Sequence, residues 1–466
     1  MFFREILNED LGCASYIVAD GGRAAVVDPK WEIDAYLDIA RDHGFRLTDI
    51  IETHNHADHV SGHGRLSAAT GATVHVARAA EVAYEHRPLG EGDAIELGQV
   101  RIVALATPGH RPEHLSFLVE DRSRAPSPWV LFSGDFLFVG DMARPDLALE
   151  PTEGARDIFQ SLARLQELPD YVEVRPAHVG GSLCGGSGMS RKPDSTLGFE
   201  RQYNAYLNIR DESEFVTALT SDETPQPPNV AHIVGLNRGP LLTEAVTARA
   251  LLAAHVHELV IPGHAVLIDG RDQREFDGAH APGAINITMN QSGVGTRAAW
   301  MVDPEAMVVT MADGDEHARA MIRMLEAVGF RNIRGYLAGG MSAWHSAQLP
   351  IETTLAVDVP TLAEQLRGRE VTLLDVRSEA EWRQGHVEDA IHVPYQQLRD
   401  GVPENVRAHD GEQPLAVACS GGIRSTIAAS MLMRAGFKNI EHVADGGVPG
   451  LAREGIELVR ESPDSH

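Results

Sequence analysis

The chain has 466 residues, of which 43% are hydrophobic and 23% are charged. The length predicts about three domains. The composition is typical of a folded protein and excludes a disordered or collagen-like chain. The chain carries 40 basic and 67 acidic residues, a formal net charge of −27. Such a charge repels polyanions, so we expect neither a nucleic acid nor a membrane surface as a partner.

No apolar run reaches the ~18 residues that a membrane-spanning helix needs, and the N-terminus lacks the pattern of a secretory signal. The three cysteines lie far apart, which excludes a disulfide framework. We therefore expect a reduced protein in the cytoplasm. Two proline-containing segments, 222–229 and 352–360, are expected to be linkers. They divide the chain into domains of residues 1–221, 230–351 and 361–466.

The first domain contains many short β-forming runs separated by glycine and aspartate, with helical patterns between them. This pattern predicts two sheets with helices packed outside them rather than one alternating parallel sheet. The β-forming runs are 15–20, 24–29, 49–54, 73–77, 100–108, 115–121 and 129–135, and the expected helices are 33–43, 64–70 and 154–167.

A dense group of metal-binding side chains follows the expected strand at 49–52. The two-residue period of a strand predicts that His54 and His56 project to the same side of its end, and Asp58 and His59 follow on the turn. Three imidazoles and one carboxylate within six residues indicate a first-row metal site. Further candidate ligands come later in the domain: His110 in TPGH, Asp135 in FSGD and His178 in RPAH.

The motifs THNHADH, TPGH, SGD and PAH, in this order over about 125 residues, resemble those of the metallo-β-lactamase superfamily. The fold of that superfamily is an αββα sandwich with its metals at one sheet edge. The segments 52–66 and 140–147 further resemble the persulfide dioxygenases. This resemblance implies one Fe(II) per chain, held by His54, His110 and Asp135. Such a site leaves three coordination positions open, enough for a substrate sulfur and O₂ together.

The remaining motif residues, His56, Asp58, His59 and His178, would orient the ligands and hydrogen-bond water. A dinuclear zinc hydrolase of the glyoxalase II type stays open as an alternative. It would use the same histidines, with Asp58, His59 and His178 at a second metal and Asp135 bridging the two. Glyoxalase II carries a mostly helical C-terminal domain, whereas repeats typical of sulfur-handling proteins follow here, so we favour the dioxygenase.

Two cysteines belong to the first domain. Cys184 lies six residues after His178 in a glycine-rich loop, close enough to the expected metal edge to serve as an extra thiol. The fusion enzymes that the chain resembles carry a similar Cys–Gly stretch. Cys13 lies in a first-strand pattern and is expected in the core. Arg144 and the segment 185–203 are candidates for binding the rest of a thiol substrate.

The second and third domains are copies of one another. Segment 265–287 aligns with 372–393, and segment 325–340 aligns with 432–447. Short apolar strands alternate with helical patterns in both copies, which predicts an α/β fold with a parallel sheet. The aligned pairs are Asp269 and Asp375, Arg271 and Arg377, Glu275 and Glu381, and His280 and His386.

The third domain places a cysteine, Cys419, between an apolar strand and a helix. The loop that follows it is Ser420, Gly421, Gly422 and Ile423. We expect the backbone N–H groups of this loop to point at the Cys419 sulfur. The helix N-terminus and the charge of Arg424 would further stabilise a thiolate or a persulfide anion.

With the upstream segment 373–394, this loop resembles the rhodanese family across residues 361–466. The stretch from Cys419 to Arg424 has six residues, the loop length of sulfur-transferring rhodaneses, whereas related phosphatases use one residue more. The second domain carries Ala312 where the cysteine should be, with two acids in its loop that would repel a persulfide. We expect that domain to be inactive, as a spacer or a docking surface.

The resemblances imply an α/β multidomain enzyme, a metallo-β-lactamase αββα sandwich plus two rhodanese-like α/β domains with parallel sheets. The first domain would oxidise a low-molecular-weight thiol persulfide, such as glutathione persulfide, with O₂ to sulfite and the thiol. The third would interconvert persulfide and sulfite with thiosulfate, in sulfide detoxification. The sequence leaves open which thiol carries the persulfide, whether the metal is iron or zinc, the direction of transfer and whether the chain forms a homo-oligomer. A non-enzymatic persulfide carrier also stays open as an alternative function.

Overall fold

The structure is a computed structural model, and its described residues are 1–180, 182, 184–186, 188–221, 225–409, 411 and 413–460. Residues 222–224 of the expected linker, residue 187 of the candidate substrate segment, and residues 410, 412 and 461–466 of the expected third domain lie outside them. Among the described residues, we find no helix with both the length and the apolarity needed to cross a bilayer.

The chain forms two compact units. The first unit comprises residues 1–245 and 326–329, and the second comprises 246–325 and 330–466. The three-domain division with boundaries near 221 and 351 stays a prediction.

The first unit contains two six-stranded sheets and a two-stranded ribbon. The first sheet runs in the order β1 (Phe2–Asn8), β2 (Cys13–Asp20), β3 (Arg23–Val27), β4 (Arg46–Ile51), β5 (Thr73–Ala77) and β6 (Arg87–Leu89). The remaining strands are β7 (Ala94–Leu97), β8 (Val100–Ala106), β9 (Leu115–Asp121), β10 (Pro128–Gly134), the ribbon strands β11 (Leu137–Phe138) and β12 (Asp141–Met142), β13 (Glu173–Pro176) and β14 (Ser195–Thr196). The second sheet has the order β14-β13-β10-β9-β8-β7.

The helices of the first unit are α1 (Asp34–His43), α2 (His63–Thr70), α3 (Pro151–Gln166), α4 (Leu197–Tyr203), α5 (Glu212–Thr220) and α6 (Val230–Arg238), with short 3-10 helices at Arg78–Ala80 and Tyr206–Asn208.

Strand β10 shows how alternation builds the layers. Val130 and Phe132 join the apolar cluster shared by the two sheets, because neighbouring residues of a strand point to opposite faces. Leu131 points the other way and packs with Ile158 of α3 and Phe215 of α5. Helices α1 and α2 pack on β4 of the first sheet. The predicted αββα sandwich is therefore confirmed, and the loops after β4, β8, β10 and β13 carry the candidate metal ligands.

The second unit contains two five-stranded sheets whose strand pairs are parallel. The first runs in the order β15-β19-β18-β16-β17, with β15 (Ala250–Leu251), β16 (Val266–Asp269), β17 (Ile285–Asn286), β18 (Val308–Met311) and β19 (Ile333–Leu337). Its helices are α7 (Ala253–Val260), α8 (Gln273–Gly278), α9 (Val294–Met301), α10 (Asp315–Ala327) and α11 (Gly340–Ser346). We call this part the middle repeat.

The second sheet repeats that order as β20-β24-β23-β21-β22, with β20 (Leu355–Val357), β21 (Thr372–Asp375), β22 (Ile391–His392), β23 (Leu415–Ala418) and β24 (Ile440–Val443). Its helices are α12 (Val359–Gly368), α13 (Glu379–Gln384), a 3-10 helix at Tyr395–Asp400, α14 (Glu404–Arg407), α15 (Ile423–Arg434) and α16 (Gly447–Leu451). We call this part the last repeat. The predicted pair of parallel α/β domains is confirmed.

One linker prediction is wrong. Residues 352–360 contain β20 and the start of α12. The short run Leu355–Val357 pairs in parallel with Glu441–Val443, so it adds an edge strand to the last sheet. Backbone pairing with a distant strand decides this, and the proline at the end of the segment only marks the first turn of a helix.

Several of the aligned residues serve the fold. Arg271 and Arg377 each bond the aspartate two residues earlier, Asp269 and Asp375, with a distance from Nη2 to Oδ2 of 2.6 Å in both repeats. All four side chains are buried. A buried bidentate pair of this kind holds the end of the strand against the loop that follows it.

Candidate metal centre and thiol site

Three buried side chains from three different loops converge in the first unit. His54 Nε2 lies 3.7 Å from Asp135 Oδ2, and His110 Nε2 lies 3.4 Å from the same oxygen. His54 follows β4, His110 follows β8 and Asp135 follows β10. The three ligand atoms lie within 4.8 Å of one another, a spacing that a single metal ion spans.

Neighbouring acceptors orient both imidazoles toward Asp135. His110 Nδ1 donates to the main-chain oxygen of Arg144 at 2.9 Å. His54 Nδ1 lies 2.9 Å from Thr53 Oγ1, whose own proton goes to Asp28 Oδ2 at 2.8 Å, so the His54 ring is the donor. Each ring therefore keeps its Nε2 lone pair for a cation.

The ligand atoms are otherwise unsatisfied. His54 Nε2, His110 Nε2 and both oxygens of Asp135 are buried and make no hydrogen bond within the described part of the chain. Leaving four such atoms unpaired in the interior is costly. A first-row divalent metal would satisfy them, so the donor set fits a metal.

His56 lies in a different environment from His54, although the two are separated by one residue. Its Nε2 is 3.2 Å from both Asp28 Oδ1 and Glu52 Oε2. Burial disfavours the charged ring, but the two carboxylates outweigh it and raise the pKa of His56 well above its usual range. Burial also opposes ionisation of Glu52, yet its hydrogen bonds with His56 and His63 lower its pKa to about 2. Strand β4 ends at Ile51, so His54 and His56 lie on the loop after the strand and not at its end. Their rings are nevertheless neighbours, with centroids 4.3 Å apart.

His178 lies between two carboxylates. Its Nε2 is 3.3 Å from Asp135 Oδ1 and 3.5 Å from Asp58 Oδ2, and its Nδ1 contacts Ser182 Oγ at 2.9 Å. Burial lowers the pKa of His178, but Asp135 and Asp58 more than compensate and raise it to about 9. His59 Nδ1 lies 3.0 Å from Asp58 Oδ1. The structure thus brings every predicted ligand of the first domain into one buried region.

Both cysteines of the first unit belong to this region. Cys184 is buried, and its thiol groups with Asp135 and His178. Cys13 is buried as expected for a core residue, but its Sγ also donates to Asp58 Oδ2 at 3.2 Å. Sequence reasoning missed this second role, because the apolar strand pattern around Cys13 gives no sign of the carboxylate beside it.

Asn237 of α6 is a further residue that sequence reasoning missed. Its Nδ2 donates to the main-chain oxygens of His56 at 2.9 Å and His59 at 2.8 Å. Its Oδ1 accepts the N–H of Ser61 at 2.9 Å. One buried amide thereby holds the loop that presents the histidines, from a helix about 180 residues away in sequence.

Replacing Asn237 by alanine is expected to loosen that loop. Three buried backbone groups would lose their partners, at about 1–3 kcal/mol each when no water replaces them. We expect a lower thermal midpoint and a metal content reduced several-fold, measured by calorimetry and by metal analysis of the purified chain. Asn208→Ala, at an exposed position of the same unit, should change neither. An Asn237→Ala chain with full metal content and an unchanged midpoint would contradict this role.

A cavity of about 380 Å³ shares Arg144 with the metal region, because the Arg144 carbonyl oxygen accepts from His110 Nδ1. Arg144, Asp141, Gly185, Gly186 and Tyr206 are among the residues that line it. Arg144 and the start of the 185–203 segment, the two sequence candidates for substrate binding, thus share one cavity. The Arg144 guanidinium is paired with Asp146, at 2.6 Å for both nitrogens, which reduces its free charge.

The Cys419 loop of the last repeat surrounds the sulfur with donors. The N–H groups of Gly421 and Gly422 lie 3.4 and 3.1 Å from Sγ, and Ser425 Oγ lies 3.5 Å from it. Burial raises the pKa of Cys419, but the hydrogen bond with Ser425, the loop amide and the charge of Arg424 outweigh it and lower the pKa. Gly422 has φ of 97°, and a Cβ there would lie 2.0 Å from the Ala444 carbonyl oxygen, so only glycine fits.

Arg424 does not act as a free cation. Its Nη1 and Nη2 bind the two carboxylate oxygens of Glu381 at 2.5 and 2.7 Å, and Nη2 also donates to Ser420 Oγ at 2.7 Å. Glu381 is partly buried, which opposes ionisation, yet Arg424 lowers its pKa to about 2. The sequence alignment marked Glu381 only as a repeated position. The ion pair with Arg424 explains the acid at this position.

The corresponding loop of the middle repeat has no nucleophile. Ala312 takes the place of Cys419, and Asp313 lies against Glu275, the counterpart of Glu381. The hydrogen bond and charge of Asp313 raise the pKa of Glu275 together with burial. Two acids thus face one another where the last repeat has an ion pair, and such a loop repels an anion.

Comparisons with known proteins agree with this division. Residues 8–178 match the model of the metallo-beta-lactamase superfamily. Residues 252–347 and 358–454 each match the model of the rhodanese-like domain. The chain is therefore a metallo-β-lactamase superfamily domain followed by two rhodanese-like domains.

Individual relatives match parts of the chain. A crystal structure of a metallo-beta-lactamase from Staphylococcus aureus subsp. aureus COL is 29% identical with a TM-score of 0.65, and the match covers 72% of this chain and 99% of that one. The persulfide dioxygenase ETHE1, mitochondrial, of Mus musculus is 28% identical over 48% of this chain and 82% of that protein. A hydroxyacylglutathione hydrolase of Pseudomonas putida (strain W619) is 38% identical over 34% of this chain. The chain spans 57% of that hydrolase's length.

Proposed function

We propose that the first domain is a non-heme Fe(II) persulfide dioxygenase. Its substrate would be a low-molecular-weight thiol persulfide, RSSH, with glutathione persulfide as an example. The balanced reaction is RSSH + O₂ + H₂O giving RSH, sulfite and two protons. The outer sulfur loses four electrons, and O₂ accepts them.

One observation carries this proposal. His54 and His110 share Asp135, whereas His56 lies with Asp28 and Glu52. A group of two histidines and one carboxylate is the donor set of non-heme iron oxygenases. The likeness to the mouse persulfide dioxygenase supports the same assignment, and so do the rhodanese-like domains of the chain.

The residues of the chain have separate tasks in this reaction. A bound Fe(II) would supply open coordination positions for the persulfide sulfur and for O₂. The Arg144 carbonyl oxygen and Thr53 hold the two imidazoles in the required tautomer. His178 Nε2 lies between Asp135 and Asp58 and would orient both carboxylates. The burial of His110, Asp135 and His178 keeps bulk water from the centre.

The thiol portion of the substrate needs a separate binding place. We assign it to the cavity lined by Arg144 and the start of the 185–203 segment, because the carbonyl oxygen of Arg144 also accepts from His110.

Cys184 is proposed as an extra thiol of the reaction, since its sulfur lies in one group with Asp135 and His178.

The last repeat is proposed to transfer sulfane sulfur through Cys419. The thiolate takes the outer sulfur of a persulfide and releases the carrier thiol, which leaves a Cys419 persulfide. Sulfite then attacks that outer sulfur, the S–S bond breaks toward Cys419, and thiosulfate leaves. The loop amides and Arg424 stabilise the anionic sulfur in both steps. Sulfite is the product of one domain and the substrate of the other, which gives the fusion a chemical reason and supports a role in sulfide detoxification.

A cytoplasmic location is part of the proposal. Cys13, Cys184 and Cys419 are all unpaired, and the proposed chemistry requires Cys419 as a free thiol. A compartment that keeps thiols reduced meets this requirement.

A dinuclear zinc hydrolase is the second candidate. His56, Asp58 and His59 also form a group whose ligand atoms lie within 4.8 Å of one another, which gives a second metal a place. The identity with the hydroxyacylglutathione hydrolase of Pseudomonas putida favours this reading. Among the described residues, however, His59 and His178 do not occur together in any such group.

Metal analysis combined with oxygen uptake separates the candidates. We expect about one iron per chain, and one O₂ consumed for each sulfite formed from glutathione persulfide. The matched assay is hydrolysis of a glutathione thioester, which should stay at background. Two zinc ions per chain with thioester hydrolysis and no O₂ uptake would overturn the dioxygenase. A chain with neither metal nor O₂ uptake would point to a persulfide carrier instead.

A further inference from the structure

A line of buried polar groups connects the two repeats of the second unit. It begins at Cys419, whose Sγ lies 3.5 Å from Ser425 Oγ. Ser425 Oγ lies 3.1 Å from His442 Nε2. His442 Nδ1 lies 2.7 Å from Asp277 Oδ2. Cys419, Ser425 and His442 belong to the last repeat, whereas Asp277 belongs to α8 of the middle repeat, and all four are buried.

The contacts determine where the protons lie. His442 Nε2 is 2.9 Å from the main-chain oxygen of Gly422, which can only accept, so Nε2 carries a hydrogen. His442 Nδ1 lies 2.7 Å from the Asp277 carboxylate. Both ring nitrogens thus have an oxygen partner, and the Asp277 contact fixes the orientation of the ring. That orientation places Nε2 beside Ser425.

This arrangement leaves the Ser425 proton for the sulfur. Ser425 Oγ is 2.9 Å from the Gly422 carbonyl oxygen and 3.3 Å from that of Val443, so it has other acceptors within reach. The Gly422 oxygen also accepts from His442 Nε2–H, and Nε2 lies 3.1 Å from Ser425 Oγ. This competition weakens the hold of Gly422 on the Ser425 proton and favours its donation to Cys419. The hydrogen bond from Ser425 is a main cause of the lowered Cys419 pKa, opposing burial.

The two repeats have complementary residues along this line. In the alignment, the middle repeat has Ala312, Ala318 and Gly335 at the positions of Cys419, Ser425 and His442. The last repeat has Arg383 at the position of Asp277. Each repeat thus lacks what the other provides, and only their combination gives the complete line.

We propose that Asp277 of the middle repeat is a positioning residue for the sulfur-transfer site of the last repeat, acting on Cys419 through His442 and Ser425. The proposal rests on the sulfur-transfer role proposed for Cys419. It assigns a function to the middle repeat. That repeat has no nucleophile of its own, but it supplies a carboxylate to the Cys419 site of the last repeat. Asp277 touches neither the sulfur nor a substrate.

Two other charged groups belong to the Cys419 site, Arg424 and its partner Glu381. Arg424 of α15 acts on the sulfur and is itself paired with Glu381 of α13. In the described part of the chain, neither forms a hydrogen bond or ion pair with Asp277 or His442. Loss of Asp277 therefore removes the support of Ser425 and leaves the Arg424 contribution in place, so the pKa of Cys419 should rise.

The test is the pH dependence of Cys419 alkylation by iodoacetamide in the full chain, followed by mass spectrometry of the Cys419 peptide. Asp277→Ala should move the midpoint upward by roughly one pH unit, which lowers the thiolate fraction at neutral pH about tenfold. Asp277→Asn keeps the volume and can still bond Nδ1. Its shift should be smaller but measurable, because an amide oxygen is a weaker acceptor for Nδ1 than a carboxylate.

Ser425→Ala shows whether Asp277 acts through the proposed line. That variant should raise the midpoint by itself, and adding Asp277→Ala to it should give no further shift. Arg274→Gln is the matched control. Arg274 lies on the same helix and pairs with Asp445 of the last repeat at an exposed site, so its loss should leave the midpoint unchanged.

Two results would overturn the proposal. One is a wild-type midpoint in both Asp277 variants, or in Asp277→Asn when the alanine chain does not fold. The other is an equal Asp277→Ala shift with and without Ser425. Failure of the proposed function is distinguishable, because alkylation does not require transfer. A shifted midpoint in a chain without sulfurtransferase activity would leave the positioning role intact and remove the activity.

Discussion

His110→Ala is expected to remove the metal and to abolish oxygen uptake with glutathione persulfide. Mutation of a residue that only hydrogen-bonds a metal ligand typically lowers metal affinity or activity 10–100-fold. Removal of a ligand itself should therefore lower them by more than about 100-fold. The fold should survive, because His110 Nδ1 bonds only a carbonyl oxygen and the Nε2 side faces the metal group. The measurements are iron per chain and the rate of O₂ consumption.

Sulfurtransferase activity should be unaffected by His110→Ala, because Cys419 lies in a different compact unit. His43→Ala, at an exposed histidine of the first unit, is the matched control and should keep both iron and O₂ uptake. Full iron content and oxygen consumption in the His110→Ala chain would show that the ligand assignment is wrong.

Cys419→Ser is expected to lower thiosulfate sulfurtransferase activity to background, a loss of at least about 10³-fold. A hydroxyl stays protonated where the thiol ionises, and it cannot carry a sulfane sulfur. Fed with persulfide and O₂, this chain should consume oxygen at the wild-type rate. It should release sulfite without thiosulfate.

Complementation offers a control for both variants. An equimolar mixture of His110→Ala and Cys419→Ser chains contains one intact site of each kind, so it should again form thiosulfate from persulfide and O₂ through released sulfite. Thiosulfate production by Cys419→Ser alone at the wild-type rate would eliminate the two-step scheme. Residual transfer in that variant would point to Cys184 or to the middle repeat.

Much of the architecture is encoded locally. The β-forming runs of the first domain become β2, β3, β4, β5, β8, β9 and β10, because short apolar runs rich in β-branched residues suit sheets that are covered on both faces. The internal repeat predicts two similar parallel sheets, and they have the same strand order. The Cys419 loop is also readable from sequence, since strand, loop and helix N-terminus are contiguous and the glycine at 422 is required by the backbone itself.

The local sequence did not show which carboxylate lies beside each histidine of the metal region. His54 and His56 stand in one motif, yet one faces Asp135 and the other faces Asp28 and Glu52. The motif contains the right side chains but no information on which carboxylate each ring meets. That depends on where β3 and β10 end relative to β4, which is a property of the packed sheets.

The sequence by itself therefore determined the classes of domain, the metal-binding residue group of the first and the cysteine loop of the last, because each depends on residues close together along the chain. Only the tertiary structure decided which groups support those sites. Asn237 reaches the histidine loop from a helix about 180 residues away, and Asp277 meets His442 across 165 residues. Hydrogen bonds act over about 3 Å, and only folding brings residues so far apart in sequence within that distance.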